Sequence, residues 1–292
     1  SFFLDDIRLV ANSPSALEVI IDPSVVHRTI PDTIFGTNSA MWTHNADEDS
    51  EFVDLTAELN TSVLRYPGGS RSDFYDYLRY EMVWTDDYAW SEPPESPTPA
   101  DQWTTNPSEM YALAQQVGAD LMYTANFGSA GLGSAAEADD QGAERAAAIV
   151  SDLNIAKGHN VQYWEVGNEI NGSWEESWTH NPYEYMNGDT AHDGANDYCE
   201  QMKAVDPDIL VGFVGTRTAD LYSGAPVGDP TDPASYTPAL WSPIEIDDVD
   251  HYGWMPIVIH EASDCFDFVS VHHYPFGEEA VDPVDLNDIN GS

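Results

Sequence analysis

The sequence predicts an α/β fold: a (β/α)8 barrel, incomplete here, with about six βα units visible in 292 residues. Two observations carry this reading. Short apolar runs alternate with longer helical stretches from about residue 34 onward, the rhythm of βα units around a parallel sheet. Polar residues then collect at the C-terminal ends of the apolar runs: Asn38, Arg65, Asn126, Asn168 with Glu169, and His272 with Tyr274. A doubly wound sheet gives the same rhythm, so alternation alone does not choose. The polar strand ends favour the barrel, because barrel enzymes build their sites from the tips of several strands.

The elements follow in order. Phe2 to Val10 alternates loosely and ends at Asn12-Ser13-Pro14, a turn signal. Leu17 to Ile21 is a second short strand. Barrel strands are expected at Ile34–Met41, Val63–Tyr66, Leu121–Asn126, Tyr163–Val166, Leu210–Val214 and Phe268–Tyr274. Glu51 to Leu59 carries Phe52, Leu55 and Leu59 at helical spacing. Pro107 to Val117 has Asn106 as N-cap and proline at the first helical position. Ala135 to Ala156 is alanine-rich and a strong helix former. Pro182 to Val205 starts after Asn181 in the same Asn-Pro manner. The stretches Thr85–Asn106 and Asp220–Pro238 are long and irregular. Both follow strands, so both are expected to rim the barrel mouth.

Composition sets the surroundings. With 42% hydrophobic and 12% aromatic residues the chain can bury a sizeable core. Nine Lys+Arg face 52 Asp+Glu, a formal net charge of −43, and only Lys157 and Lys203 are lysines. Such a surface repels itself in dilute salt. Molar salt shortens the Debye length to about 3 Å and removes most of that repulsion. The acids are spread along the chain rather than gathered in a tail, which points to a halophilic protein. Nucleic acid is excluded as a partner, because nothing offsets phosphate charge. No apolar run approaches the roughly 18 residues of a membrane span. Cys199 and Cys265 form no metal-ligand spacing; one disulfide and two free thiols both remain open. No His/Cys/Asp cluster has metal spacing and no Gly-rich phosphate loop follows the first strand, so neither metal nor cofactor is expected.

The sharpest motif is Tyr163-Trp164-Glu165-Val166-Gly167-Asn168-Glu169. It sets an amide and a carboxyl side by side at a strand tip. The amide can bond a sugar hydroxyl. The carboxyl can protonate a leaving oxygen if its surroundings raise its pKa. The plain alternative is a surface glutamate capping a helix. Arg65 also has a plain alternative, as partner to a buried acid, and Asn126 has one as a turn residue. His272 and Tyr274 share strand parity, so both are expected to face inward. Gly68 and Gly69 are expected to permit a tight turn rather than touch ligand. Trp42, Trp84, Trp90, Trp103, Trp174 and Trp178 lie at strand ends or in loops, where indoles can stack on sugar faces or simply pack the loops.

Tyr-Trp-Glu-Val-Gly-Asn-Glu resembles the acid/base motif of the retaining glycoside hydrolases of clan A. The likeness is strongest to the α-L-arabinofuranosidases and their endoglucanase-like and xylosidase-like relatives. Leu64-Arg65-Tyr66-Pro67-Gly68-Gly69-Ser70 resembles the second barrel strand of that group, and Val269-Ser270-Val271-His272-His273-Tyr274-Pro275 the sixth. Ile34-Phe35-Gly36-Thr37-Asn38 fits its first strand more weakly. The resemblance implies roles: Glu169 as acid/base, Asn168 holding the sugar 2-hydroxyl, and Arg65 orienting the nucleophile carboxylate. His272, Tyr274, Asn126 and Trp174 complete the expected substrate-binding set.

The chain departs from that group after Tyr274. The group's nucleophile is a glutamate at the tip of the seventh strand, and no such strand is recognisable before Ser292. Glu278 and Glu279 read as solvated loop acids. The nucleophile is therefore expected outside this chain, and this chain alone is expected to be inactive. Residues 1–16 are read as the last strand and linker of a preceding domain like a carbohydrate-binding module, because Asp5-Asp6-Ile7 resembles such a strand. Residues 17–292 are read as the glycosidase barrel, truncated before strand seven. The opening Ser-Phe-Phe-Leu-Asp-Asp reads as mid-strand, so further chain is expected before it. The expected partner is a carbohydrate substrate, with appended carbohydrate-binding or β-sandwich domains in the full-length protein. The expected place is outside the cell, or on the surface, of a halophilic microbe. The alternative function is a non-catalytic carbohydrate-binding or cell-surface structural protein that keeps the barrel.

Overall fold

The computed structural model describes residues 3–13, 16–29, 33, 35–39, 47–76, 81–82, 105–132, 138–172, 174–216, 244–246, 249–251 and 253–272. Strands β1 (Phe3–Ser13) and β2 (Ala16–Thr29) form an antiparallel hairpin. The boundary expected at residue 16 thus falls where two paired strands meet.

The centre is a six-stranded parallel sheet. Its strands are β3 (Gly36–Asn38), β4 (Val63–Tyr66), β7 (Asp120–Ala125), β8 (Tyr163–Val166), β9 (Leu210–Gly215) and β12 (Phe268–Val271). They lie side by side in chain order, from β3 at one end to β12 at the other. Sequential parallel order with helical crossovers makes a curled half-barrel, the incomplete (β/α)8 barrel that the sequence predicts. Two short antiparallel pairs lie off the sheet: β5 (Tyr75–Asp76) with β6 (Glu81–Met82), and β10 (Ile244–Ile246) with β11 (Val249–His251).

Strand alternation sorts the side chains. Leu64, Tyr66, Leu121, Tyr123, Ala125, Trp164, Val166, Val211 and Phe213 point away from the barrel axis and are buried under the helices. Tyr66, Tyr123 and Trp164 run across three strands, with ring centroids 5.9 and 5.1 Å apart. The alternate residues, Arg65, Thr124 and Glu165, face the barrel interior, where they bond one another.

The α-helices among the described residues are α1 (Ser50–Glu58), α2 (Pro107–Val117), α3 (Gly142–Val150), α4 (Pro182–Asn187), α5 (Ala195–Val205) and α6 (Trp254–Glu261). Asn106 caps α2 in a reciprocal box: its Oδ1 accepts from the Ser108 and Glu109 amides, and Glu109 accepts from the Asn106 amide. Two expectations need correction. The helix expected over 135–156 starts only at Gly142 among the described residues, because the Asp139 carboxylate accepts from the Gln141 amide and holds a turn. Its last turn, Ser151–Ala156, is π-helical. The helix expected over 182–205 is two helices. Gly188 takes a φ of 69°, Asp189 accepts from the Ala191 and His192 amides, and Asp197 caps the start of α5. The outer strands are also shorter than expected. β12 ends at Val271, just before His272, and residues 273–274 lie outside the described set.

Cys199 on α5 and Cys265 ahead of β12 form a disulfide across 66 residues. Beside it, Lys203 Nζ pairs with Asp267 at 2.7 Å, and Asp267 accepts from the Val211 amide at 2.8 Å. These links fasten the helix layer to the end of the sheet that carries His272. No helix among the described residues is long and apolar enough to cross a membrane.

Candidate active site

The site grows from the inward faces of β4, β7 and β8. Parallel register sets Thr124 directly opposite Glu165. Glu165 is fully buried, and its Oε2 accepts two hydrogen bonds and makes a close ion pair. Arg65 donates from Nε at 2.8 Å and Thr124 Oγ1 donates at 2.9 Å, while Arg65 Nη2 pairs with the same oxygen at 2.6 Å. A buried carboxylate needs such partners, since burying an unpaired charge costs several kcal/mol, roughly. The same guanidinium reaches outward to Asn38 Oδ1 (3.3 Å) and Asn168 Oδ1 (3.0 Å). Arg65 thereby ties together the tips of three strands. The Gly68 turn allows this closeness: its φ is 66°, and a Cβ there would strike the Asn38 amide.

After β8 the backbone turns sharply. Gly167 has a φ of 80° and Glu169 of 46°, the latter a left-handed conformation uncommon for a residue with a side chain. The turn aims two consecutive side chains into the same space. Asn168 donates from Nδ2 to Glu175 Oε1 at 3.0 Å, and Ser70 Oγ donates to that oxygen at 2.8 Å. Glu169 Oε2 accepts from the Trp174 indole at 2.8 Å. Glu169 Oε1 lies 2.6 Å from His272 Nδ1. The other imidazole nitrogen stands 3.9 Å from Glu165 Oε1. His272 therefore spans the buried carboxylate and the accessible one. The Glu169 side chain keeps 15% of its surface exposed, enough to meet a ligand from the barrel mouth.

The electrostatics sort the acids. Burial raises the Glu175 carboxyl to about 7; the Ser70 and Asn168 bonds and the Arg65 charge oppose the rise, and the Glu169 charge adds to it. Asp73 is fully buried and also raised well above the usual range, first by burial and then by Glu175. Backbone amides, that of Gly128 foremost, oppose that shift.

Five sequence-predicted residues meet here: Arg65, Asn168, Glu169, Trp174 and His272. Asn126 stands apart. Its Nδ2 donates to Tyr75 O and Ser129 Oγ, and its Oδ1 accepts from the Ser129 amide, so it closes a turn. Trp178 stacks on His192 with ring centroids 4.2 Å apart and packs on Phe127. Tyr274, Trp42, Trp84, Trp90, Trp103, Glu278 and Glu279 lie outside the described residues.

No protein-family profile matches the chain. It is 25% identical over 263 residues to an intracellular exo-α-(1→5)-L-arabinofuranosidase of Acetivibrio thermocellus, covering 82% of this chain and 42% of that one. It is 25% identical over 192 residues to an exo-α-(1→6)-L-arabinofuranosidase of Bifidobacterium longum, covering 59% of this chain and 33% of that one. Both of these curated relatives are arabinofuranosidases. The chain spans less than half the length of these curated relatives. A family 51 α-L-arabinofuranosidase from Bifidobacterium longum shares the fold, with a TM-score of 0.57 and 18% identity over 95% of this chain and 48% of that one.

Within this arabinofuranosidase-like barrel, sequence reasoning gave no role to Glu165, Thr124, Glu175 or Ser70. For Glu165 a signal existed: it and Arg65 both sit mid-strand with inward parity, and an arginine there needs an acid. Glu175 gave none. It lies six residues beyond Glu169 in a loop, and only the folded turn brings it under Asn168.

Proposed function

We propose that the chain carries the acid/base side of a retaining glycosidase acting on arabinofuranosyl-bearing oligosaccharide or polysaccharide, with Glu169 as acid/base. The observation that carries this reading is the setting of Glu169, held between the His272 imidazole and the Trp174 indole at the tip of β8. In a retaining mechanism this carboxyl protonates the leaving oxygen, then takes a proton from the water that releases the sugar. Asn168 is read as the ligand of the sugar 2-hydroxyl, and the exposed Trp174 ring as a stacking face.

The mechanism needs a second carboxyl about 5–5.5 Å away, as nucleophile. Among the described residues, the other carboxyls gathered here are Glu165, Glu175 and Asp73, and all are buried. The nucleophile is accordingly read as belonging to chain beyond the described residues. The reading of residues 1–16 as the end of a carbohydrate-binding-module-like domain belongs to the same proposal. So does placement outside a halophilic cell, which the disulfide and the acidic composition support.

The test is to assay the full-length protein and Glu169→Gln on arabinosyl, xylosyl and glucosyl aryl glycosides, and on a natural arabino-oligosaccharide, in molar salt. Activity in the parent, with a loss of several orders of magnitude on the oligosaccharide in the variant, is the expected result. A folded parent that binds glycans and cleaves none would replace this reading with a binding protein.

A further inference from the structure

Asn168 is bonded on both sides of its amide, and by groups of opposite kind. Its Oδ1 accepts from Arg65 Nη2 at 3.0 Å, and a guanidinium can only donate. Its Nδ2 donates to Glu175 Oε1 at 3.0 Å, and an ionised carboxylate can only accept. Together they determine which way the amide faces. Arg65 acts from β4, and Glu175 acts from the loop after β8. Trp174, the residue before Glu175, binds Glu169 from that same loop. Two adjacent loop residues thus hold two adjacent site residues.

Glu175 is built for a fixed position. It is buried, its Oε1 takes a second bond from Ser70, and its Oε2 is buried with no hydrogen-bond partner among the described residues. The charged groups around it are Asp73 in the turn after β4, Arg65 on β4 and Glu169 after β8.

We propose that Glu175 is a positioning residue that acts through Asn168: it presents the Asn168 amide, N–H toward the loop and C=O toward Arg65, so that the amide meets the substrate in one orientation. The inference rests on the proposed function for its kinetic consequence, but not for its structural one. Because Glu175 and Glu169 interact by charge, removing the Glu175 charge also eases deprotonation of Glu169.

The experiment has two arms. In the first, kcat/KM is measured for the parent, Glu175→Leu, Asn168→Ala and the double variant, with Glu175→Gln as the conservative control. Glu175→Leu is expected to lose about tenfold in the parent background and under about twofold in the Asn168→Ala background, since coupled residues are not additive. Glu175→Gln, whose carbonyl can still accept, is expected to stay within about threefold of the parent and to move the basic limb of its pH profile to lower pH. Equal losses in both backgrounds, in proteins of unchanged circular dichroism, overturn the proposal.

The second arm needs no turnover. The side-chain N–H resonances of Asn168 are followed by NMR from pH 5 to 9, roughly the span around the raised Glu175 carboxyl. They are expected to titrate near pH 7 in the parent and stay still in Glu175→Gln. Asn168 resonances that ignore pH in the parent overturn the proposal even if the protein hydrolyses nothing. Titrating resonances in an inactive protein uphold the positioning role and refute the glycosidase reading instead.

Discussion

His272 Nδ1 lies 2.6 Å from Glu169 Oε1, and the same ring reaches toward Glu165 with its other nitrogen, 3.9 Å away. The two carboxyls are four residues apart in sequence, one fully buried and the other open to the barrel mouth. The bond to His272 fixes where the Glu169 carboxyl, the proposed acid, stands relative to a leaving oxygen. His272→Phe keeps an aromatic ring and removes the bond. It is expected to lower kcat/KM on a natural oligosaccharide by about 10- to 100-fold, part of the roughly 100- to 10,000-fold that general acid catalysis is worth. Aryl glycosides whose leaving groups need no proton should lose less than about fivefold. Equal losses on both substrates would mean that His272 shapes the site without touching proton transfer.

The Arg65–Glu165 pair is expected to dominate the stability of the sheet interior. Glu165 has no exposed surface, and its Oε2 depends on Arg65 and Thr124. Arg65→Met leaves a buried charge without its counter-ion, a change worth about 3–5 kcal/mol. Replacing both partners removes the orphaned charge along with the pair. Urea unfolding should therefore find Arg65→Met much less stable than the parent, and Arg65→Met with Glu165→Met close to it. A double variant as unstable as the single one would show that packing, not charge, is at stake.

The contrast between these residues explains what could be read from the chain. β4 and β8 appear in the structure with the expected bounds, because each is a short apolar run whose alternate residues meet two different environments. Arg65, Asn168 and Glu169 are legible for the same reason: strand ends place them, and local sequence defines strand ends. Glu175 and Ser70 are not, because each reaches the site by a turn at positive φ: Gly167 and Glu169 precede Glu175, and Gly68 and Gly69 precede Ser70. The break between α4 and α5 was hidden too. Its cause is a set of Asp-to-amide bonds around Gly188, and helix periodicity carries no trace of them.

Glu175 also makes stability depend on pH. Its carboxyl is raised from the usual range to about 7, chiefly by burial. A carboxyl raised on folding binds its proton more tightly in the folded state. Its contribution is fully present below the unfolded value, near 4.3, and is lost as pH rises through about 7. The loss amounts to about 4 kcal/mol at most. Asp73, shifted in the same direction, adds to the slope. The acidic surface also gains from acidification, so the quantity to measure is the parent minus Glu175→Gln. Denaturant unfolding at pH 5 and pH 8 should show the parent falling more steeply than the variant. Identical slopes would place Glu175 in a wetter setting than its burial implies.

The net charge of −43 makes the strongest demand on conditions. Of the cations described, Lys157 pairs with Asp152 at 2.7 Å and Lys203 with Asp267 at 2.7 Å. Arg65 is held inside the barrel. Nine Lys+Arg cannot neutralise 52 acids, so the surplus repels across the surface and lowers the stability of the folded state. Raising salt from 0.1 M to about 1 M shortens the Debye length from about 10 Å to about 3 Å, below the spacing of most surface charges. The melting temperature should therefore climb steeply over that range and level off beyond it. Potassium chloride and potassium sulfate, matched in ionic strength, separate the causes. Screening predicts similar curves for both. A gain found only with sulfate would trace the effect to strengthened apolar burial instead, since sulfate is excluded from protein surfaces.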